Sequence, residues 1–265
     1  MIGGARLAGV ERILVPAWDV ASCHGALELV DRFPWLDASV GVHPHDAANV
    51  GDDGWAEVVA LAADPRVVAI GETGLDYDRV FSPVAAQLAN LRRNLRLAAA
   101  SGKPAILHCR SSAGARDGQD AVLAELRAFG SEPPRVVVHS FSGPVDYAEA
   151  MLALGAVISF SGLVFRRGEE PSAAVARLAP ADRILVETDA PYLSPPGAPR
   201  RRNEPEWVAV TARWVAEQRG EDPDVLGARL VANYAGLFGA PPAKAGQIPT
   251  QRTLGPTGAS GERRA

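Results

Sequence analysis

Lysine is nearly missing from this chain: of 27 basic residues only Lys103 and Lys244 are lysines. That bias goes with an Ala- and Arg-rich composition, and no function is drawn from it. Cysteine is equally sparse. Cys23 and Cys109 are the only two and share no CxxC spacing, which excludes a disulfide framework and a zinc ribbon and fits a reducing cytoplasm. No apolar run approaches the roughly 18 residues needed to cross a bilayer, and residues 1–12 lack the basic start and apolar stretch of a secretory signal. A soluble cytoplasmic protein without a membrane partner is therefore expected, and nothing marks a protein partner. The formal charge of −4 excludes a global basic field, so a polyanionic partner would have to be met by a local basic cleft. Aromatics make up 6%, and Trp18, Trp35, Trp55, Trp207 and Trp214 are scattered without a stacking spacing, which reads as core packing.

What is present is ordinary globular material, with 47% hydrophobic and 22% charged residues over 265 positions. That length suits one α/β barrel of roughly 250 residues. Short apolar runs rich in β-branched residues recur at 12–17 (RILVPA), 38–43 (ASVGVH), 67–72 (VVAIGE), 104–108 (PAILH), 135–139 (RVVVH), 156–161 (AVISFS) and 183–187 (RILVE). Continuous apolarity, as opposed to alternation, marks parallel strands covered on both faces. Helix-length segments separate them. In 84–100, Val84, Leu88, Leu91, Leu95 and Ala98 share one face at helical spacing, which predicts an amphipathic helix.

Alternating strands and helices imply parallel βαβ units. Most runs end in a polar or ionisable residue: His43, Glu72, His108, His139, Ser161 and, just beyond the last, Asp189. A closed barrel gathers all such ends on one face, whereas an open sheet gathers only those at its switch point. The expected fold is therefore a TIM (β/α)8-type barrel over residues 1–239. Only seven strand runs are present, and residues 3–10 read as a helix tail and a Gly turn, so the missing strand is the first. Residues 240–265 contain no aromatic side chain and are dense in Pro, Gly, Ala, Thr and Arg, which predicts a disordered tail.

Glu72, His108, His139 and Asp189 are two carboxylates and two imidazoles at the ends of different strand runs. Such a mixed nitrogen and oxygen set suits divalent cations. Any one of these residues alone is as well read as structural; four on one barrel face point to a metal centre. Cys109 follows His108, so strand alternation turns it into the core. His24 stands alone on a helix and reads as solvated or packed.

The segments GVHPH (41–45), IGETGLDY (70–77), LHCR (107–110), VHSFSG (138–143), ISFSGLVF (158–165) and VETDAPYL (186–193), in this order, resemble the TatD family of metal-dependent deoxyribonucleases. The resemblance spans residues 9–238. It implies an amidohydrolase-like TIM barrel with two divalent metal ions (Mg, Mn or Zn) and DNA, attacked at single-stranded ends, as substrate. By that resemblance Glu72 bridges the metals, His108 and His139 bind one of them, and Asp189 contacts the other and serves as the base for the attacking water. His43 is a candidate contact for substrate or for metal-held water. Arg110 is a candidate for phosphate or for a rim salt bridge. Arg200, Arg201 and Arg202 form a run near the rim that either grips phosphates or is merely solvated. Glu187 either orients other groups or supports the rim.

One departure limits the resemblance. Family members open on a strand ending in His-x-His, and no such pair precedes Val15. His43 and His45 have the spacing but belong to the GxHP motif of the third strand. We expect the natural start to lie about 25 to 35 residues before Met1, the length of one β/α unit; the other reading is a shortened descendant with half a metal site. As written, one metal keeps Glu72 and Asp189 and the other keeps Glu72, His108 and His139, so at most one tightly held ion is expected. The expected activity is hydrolysis of phosphodiesters as a DNA exonuclease. Hydrolysis of a small amide, ester or lactone on the same barrel, and a non-catalytic member that has lost one metal, are the alternatives.

Overall fold

Each apolar run becomes a parallel strand, with ends shifted by a few residues. A computed structural model describes residues 2–130, 133–199 and 202–239; the expected tail at 240–265 lies outside them. The strands are β1 (Ile13–Val15), β2 (Leu36–Val40), β3 (Val67–Asp76), β4 (Ala105–Arg110), β5 (Val136–Val138), β6 (Val157–Phe160) and β7 (Ile184–Val186). They form one sheet in the order β1 to β7, every neighbouring pair parallel. Sequential parallel order, with helices between the strands, is the winding of a TIM-type barrel. Among the described residues β1 and β7 do not pair, in keeping with seven runs where a closed barrel takes eight.

The helices are α1 (Ile2–Leu7), α2 (Val20–Arg32), α3 (Asp52–Leu61), α4 (Val84–Ser101), α5 (Asp117–Ala128), α6 (Val145–Ala153), α7 (Pro171–Leu178), α8 (Val208–Arg219) and α9 (Pro223–Phe238). Their ends follow local chemistry. Asp19 caps α2 by accepting from the Ser22 N–H at 2.7 Å, and Asp222 caps α9 ahead of Pro223.

Two corrections to the sequence reading concern the site. The second run is strand only from Leu36 to Val40, so His43 sits beyond the strand, as the cap of a short 3-10 turn at Pro44–Asp46. Helix α4 lies where expected, but its buried face is rotated. Val84 is 39% exposed, while Gln87, Asn90 and Asn94 are buried beside Leu91, Leu95 and Ala98. The reason is backbone satisfaction at the strand ends. Gln87 accepts from the Asp76 N–H at 2.8 Å and donates to the Asp76 carbonyl at 3.0 Å, and Asn90 donates to the Val42 carbonyl at 2.6 Å.

Two apolar clusters divide the strands by alternation. Ile70, Leu107, Val136, Val138, Ile158 and Ile184 pack outward on the helices. Ala69, Ile106, Val137, Val157 and Leu185 form the second cluster, which Leu237 and Phe238 of α9 help to fill. At the base, Arg12 donates to Asp37 at 2.6 Å and the Tyr234 hydroxyl donates to the same carboxylate at 2.7 Å, tying α9 to the first two strands. Among the described residues no helix is long and apolar enough to cross a membrane.

Candidate active site

The second cluster gives way to polar side chains two residues further along the chain, near or just past the strand ends. Ile106 is followed by His108, Val137 by His139, Val157 by Ser159 and Leu185 by Glu187. Period-two alternation therefore sends these groups to the same side, at the carboxyl ends of the strands.

Glu72 meets them because two glycines let β3 press against β4. Gly71 has φ +132, and a Cβ there would lie 2.6 Å from the Ile106 carbonyl; Gly74 has φ +142, and its Cβ would lie 1.9 Å from the His108 carbonyl. Neither a left-handed backbone nor so close an approach is open to other residues at ordinary cost.

Three imidazole nitrogens converge on one oxygen, Glu72 Oε1: His108 Nδ1 at 3.0 Å, His43 Nε2 at 3.4 Å and His139 Nε2 at 3.6 Å. Donor atoms of His43, Glu72 and His108 all lie within 4.8 Å of one another. Asp189 Oδ1 is 3.8 Å from His139 Nε2, on a loop whose backbone takes φ +56 at that residue. Burial opposes ionisation of Glu72, yet His139, His108 and His43 around it hold its carboxyl well below the ordinary range. Burial likewise disfavours a charged His139, but Glu187, Glu72 and Asp189 outweigh it and push the ring up to about 10. For Asp189, burial and the nearby Glu187 and Glu72 prevail over His139 and lift the carboxyl to about 6.

The far nitrogens of two of these rings are also held. His139 Nδ1 lies 2.8 Å from Glu187 Oε1, and Ser159 donates to Glu187 Oε2 at 2.6 Å. His108 Nε2 lies 3.0 Å from Asp76 Oδ2, which also faces His45 Nε2 at 2.9 Å and Arg110 Nη1 at 3.1 Å. The other Asp76 oxygen accepts from the N–H groups of Asp78 and Arg79 at 3.2 and 2.8 Å. Burial works against its charge, but His108, the Arg79 N–H and His45 hold the Asp76 carboxyl below its usual range. Carboxylates behind ligating imidazoles fix ring orientation and raise basicity.

This pairing of strand order with a mouth of histidines and carboxylates is matched by a known family. The model for TatD related DNases covers residues 2–239. The chain belongs to the TatD family. It is 41% identical over 244 residues to the "3′-5′ ssDNA/RNA exonuclease TatD" of Cronobacter sakazakii, with 90% of each chain covered. It is 42% identical over 244 residues to the protein of the same description from Cronobacter turicensis, again with 90% of each covered. Among solved structures, YJJV, the TatD homologue of Escherichia coli K12, superposes with a TM-score of 0.81 at 29% identity over 90% of each chain. An organophosphorus hydrolase mutant from Deinococcus radiodurans has a TM-score of 0.52 at 18% identity over 89% of this chain and 82% of its own, a likeness of fold alone. As a TatD member the protein is a hydrolase acting on phosphodiester bonds.

Seen as a TatD mouth, the structure brings together Glu72, His108, His139 and Asp189 and adds His43 to the donors. Arg110, half exposed, is engaged by Asp76. Arg202 is 74% exposed and paired with Glu204 at 2.7 Å; Arg200 and Arg201 lie outside the described residues. His24 is on α2, exposed, 2.7 Å from Glu57. Cys109 is packed beside Tyr147, and burial pushes its thiol up to about 12, so it is no nucleophile. Asp76 escaped the sequence reading because the third run was ended at Glu72, whereas β3 continues to Asp76. The signal was its place in GETGLD; Glu187, expected either to orient other groups or to support the rim, lies against the His139 ring.

Proposed function

We propose that this TatD-family hydrolase shortens single-stranded DNA or RNA from the 3′ end, with one divalent cation held by Glu72, His108 and His139, His43 beside them, and Asp189 as the base. The observation that carries the reading is the convergence of three imidazole nitrogens on Glu72 Oε1, 3.0 to 3.6 Å away, with Asp189 beside His139. Two carboxylates and neutral imidazole nitrogens are a donor set that borderline and hard divalent ions accept, so the residues fit such an ion. When bound, the ion supplies Lewis acidity toward a phosphoryl oxygen and a lowered pKa for water.

The chain's own groups do the rest. Asp189, lifted to about 6, is ionised near neutral pH and still basic enough to take the proton of the attacking water. The water oxygen bonds to phosphorus as the P–O bond to the leaving sugar oxygen breaks, and that oxygen takes up the proton, returned by Asp189 or drawn from solvent. Glu187 and Asp76 hold the rings of His139 and His108 in register. Arg110, half exposed beside Asp76, offers a positive charge for the phosphate. The relatives' description as 3′-5′ ssDNA/RNA exonucleases supports the polarity and the strand class. Two free cysteines support a cytoplasmic setting.

The test is a 5′-labelled single-stranded oligonucleotide incubated with Mg²⁺ or Mn²⁺. A ladder shortening from the 3′ end is expected for the wild type, and loss of at least about 100-fold in rate for Asp189→Asn. Wild-type rates in Asp189→Asn overturn the assignment of the base. Hydrolysis of a small ester or lactone with no oligonucleotide cleaved overturns the substrate class.

A further inference from the structure

Between the loop after β6 and the loop after β7, which carries Asp189 two residues before Pro191 of its wall, runs a cleft of about 860 Å³. Its wall includes Phe165 and Arg166 from the first loop and Tyr192, Leu193, Pro195 and Pro196 from the second. Both loops leave the carboxyl ends of strands, so the cleft lies on the face that carries Asp189. Its size falls within the roughly 300–1,000 Å³ of small-ligand sites.

Three features distinguish this cleft from an incidental groove. First, the Tyr192 side of it is rigidly placed. The Tyr192 N–H donates to the Asp189 carbonyl at 2.8 Å, and the Tyr192 carbonyl accepts from Asn203 Nδ2 at 2.6 Å. Asn203, only 3% exposed, donates from the same nitrogen to the Thr188 carbonyl at 2.7 Å, so one buried amide braces the segment that carries Asp189 and Tyr192. Second, Tyr192 itself is 71% exposed, an aromatic ring fixed at its backbone and uncovered at its face. Third, Arg166 has no hydrogen bond or ion pair through its guanidinium among the described residues, whereas Arg110 and Arg202 each have a carboxylate. An unpaired cation, an uncovered ring and an apolar floor are the parts of a site for a nucleotide of a single strand, since every base has a π-face and every link a phosphate.

We propose that this cleft is a nucleotide subsite in which one base of the substrate strand lies on the Tyr192 ring while an adjoining phosphate meets Arg166. The inference rests on the proposed function and deepens it, because it states how the enzyme takes single strands of any sequence. A base in a duplex has its faces occupied by its neighbours and cannot be laid on Tyr192 without unstacking. No hydrogen-bonding group of the cleft is needed to read a base edge, so purines and pyrimidines are both accepted.

Binding of a 5′-fluorescein single-stranded oligonucleotide to the full chain, followed by anisotropy in EDTA so that nothing is cleaved, tests this. Tyr192→Ala is expected to weaken binding of an intact strand about tenfold, and to have no effect on a strand abasic at its three 3′-terminal positions. Tyr192→Phe is expected to bind as the wild type does. Arg166→Ala is expected to weaken intact and abasic strands alike and to lower the salt slope by about 1. At 71% exposure Tyr192 is removable without loss of fold, which a melting curve checks. Unchanged affinity in Tyr192→Ala, or an equal loss on intact and abasic strands, overturns the subsite while leaving the proposed function standing if the wild type still degrades the strand. A wild type that neither binds nor degrades single strands overturns both.

Discussion

His139 Nδ1 lies 2.8 Å from Glu187 Oε1, which turns His139 Nε2 toward Glu72 and Asp189. In the proposed metal site, Glu187 thereby sets which nitrogen of the ring faces the cation. Glu187→Gln keeps the size of the side chain but loses its charge. We expect a 10- to 100-fold loss of divalent-ion affinity by calorimetric titration, with little change in melting temperature. Wild-type affinity in the variant would show that Glu187 serves only the rim.

Asp76 divides its work between its oxygens: one closes the turn at Asp78 and Arg79, the other faces His45, His108 and Arg110. Asp76→Asn with its oxygen kept on the turn presents an amide to groups that need an acceptor. Turnover is expected to fall at least tenfold while KM changes little, because the loss is one of ring orientation. Asp76→Ala removes both functions and is expected to cost an additional 2 kcal/mol or so of stability in urea unfolding.

In the metal-free protein Asp189 and His139, both raised, contribute stability that is lost as pH rises. The lowered Glu72 and Asp76 carboxyls are opposite in sign, their contributions being lost on acidification. Asp189 rises from 3.8 to about 6, so it adds stability below 3.8 that is lost as pH climbs through 6. His139 rises from 6.5 to about 10, so its contribution is whole below 6.5 and is lost as pH climbs through 10. Stability in EDTA should therefore decline in two steps between pH 4 and 10, and Asp189→Asn should abolish the lower step. With Asp189 32% exposed, and so partly screened by solvent, that step is about 1 kcal/mol. A cation needs the His139 nitrogen without its proton, so binding at pH 8 should release about one proton, read from calorimetry in two buffers of different ionisation enthalpy. No proton release would contradict the assignment of His139 as a ligand.

Gly74 faces the His108 carbonyl so closely that a Cβ would lie 1.9 Å away, on a backbone at φ +142. Gly74→Ala must push β3 from β4 and carry Glu72 off His108. We expect about 3 kcal/mol of destabilisation from strain and overpacking together, read from urea unfolding, and a weaker metal site. A variant of wild-type stability would mean that the two strands part at no cost.

Metal content gives a further check. The described donors make one cluster around Glu72 Oε1, and we expect one tightly held ion per chain by elemental analysis after dialysis. Two ions per chain would contradict that expectation.

The sequence by itself determined the class of this protein. Seven β-branched apolar runs between amphipathic segments specify parallel strands under helices, because an apolar run of that length can be satisfied only by cover on both faces. Its ionisable strand ends and the GETGLD and ETDAPYL motifs carried Glu72, His108, His139 and Asp189 to the same mouth. What only the tertiary structure decided are contacts between segments far apart in the chain. The amides of α4 turn inward because the strand ends at Val42 and Asp76 have backbone groups to satisfy, a demand no periodicity count sees. His43 joins the donors only through the loop geometry beyond β2, and Asp76 and Glu187 gain their partners only once β3 to β7 lie side by side in order. Alternation along one strand can say which way a side chain points; which group it meets there depends on the register between strands, and that is settled by packing.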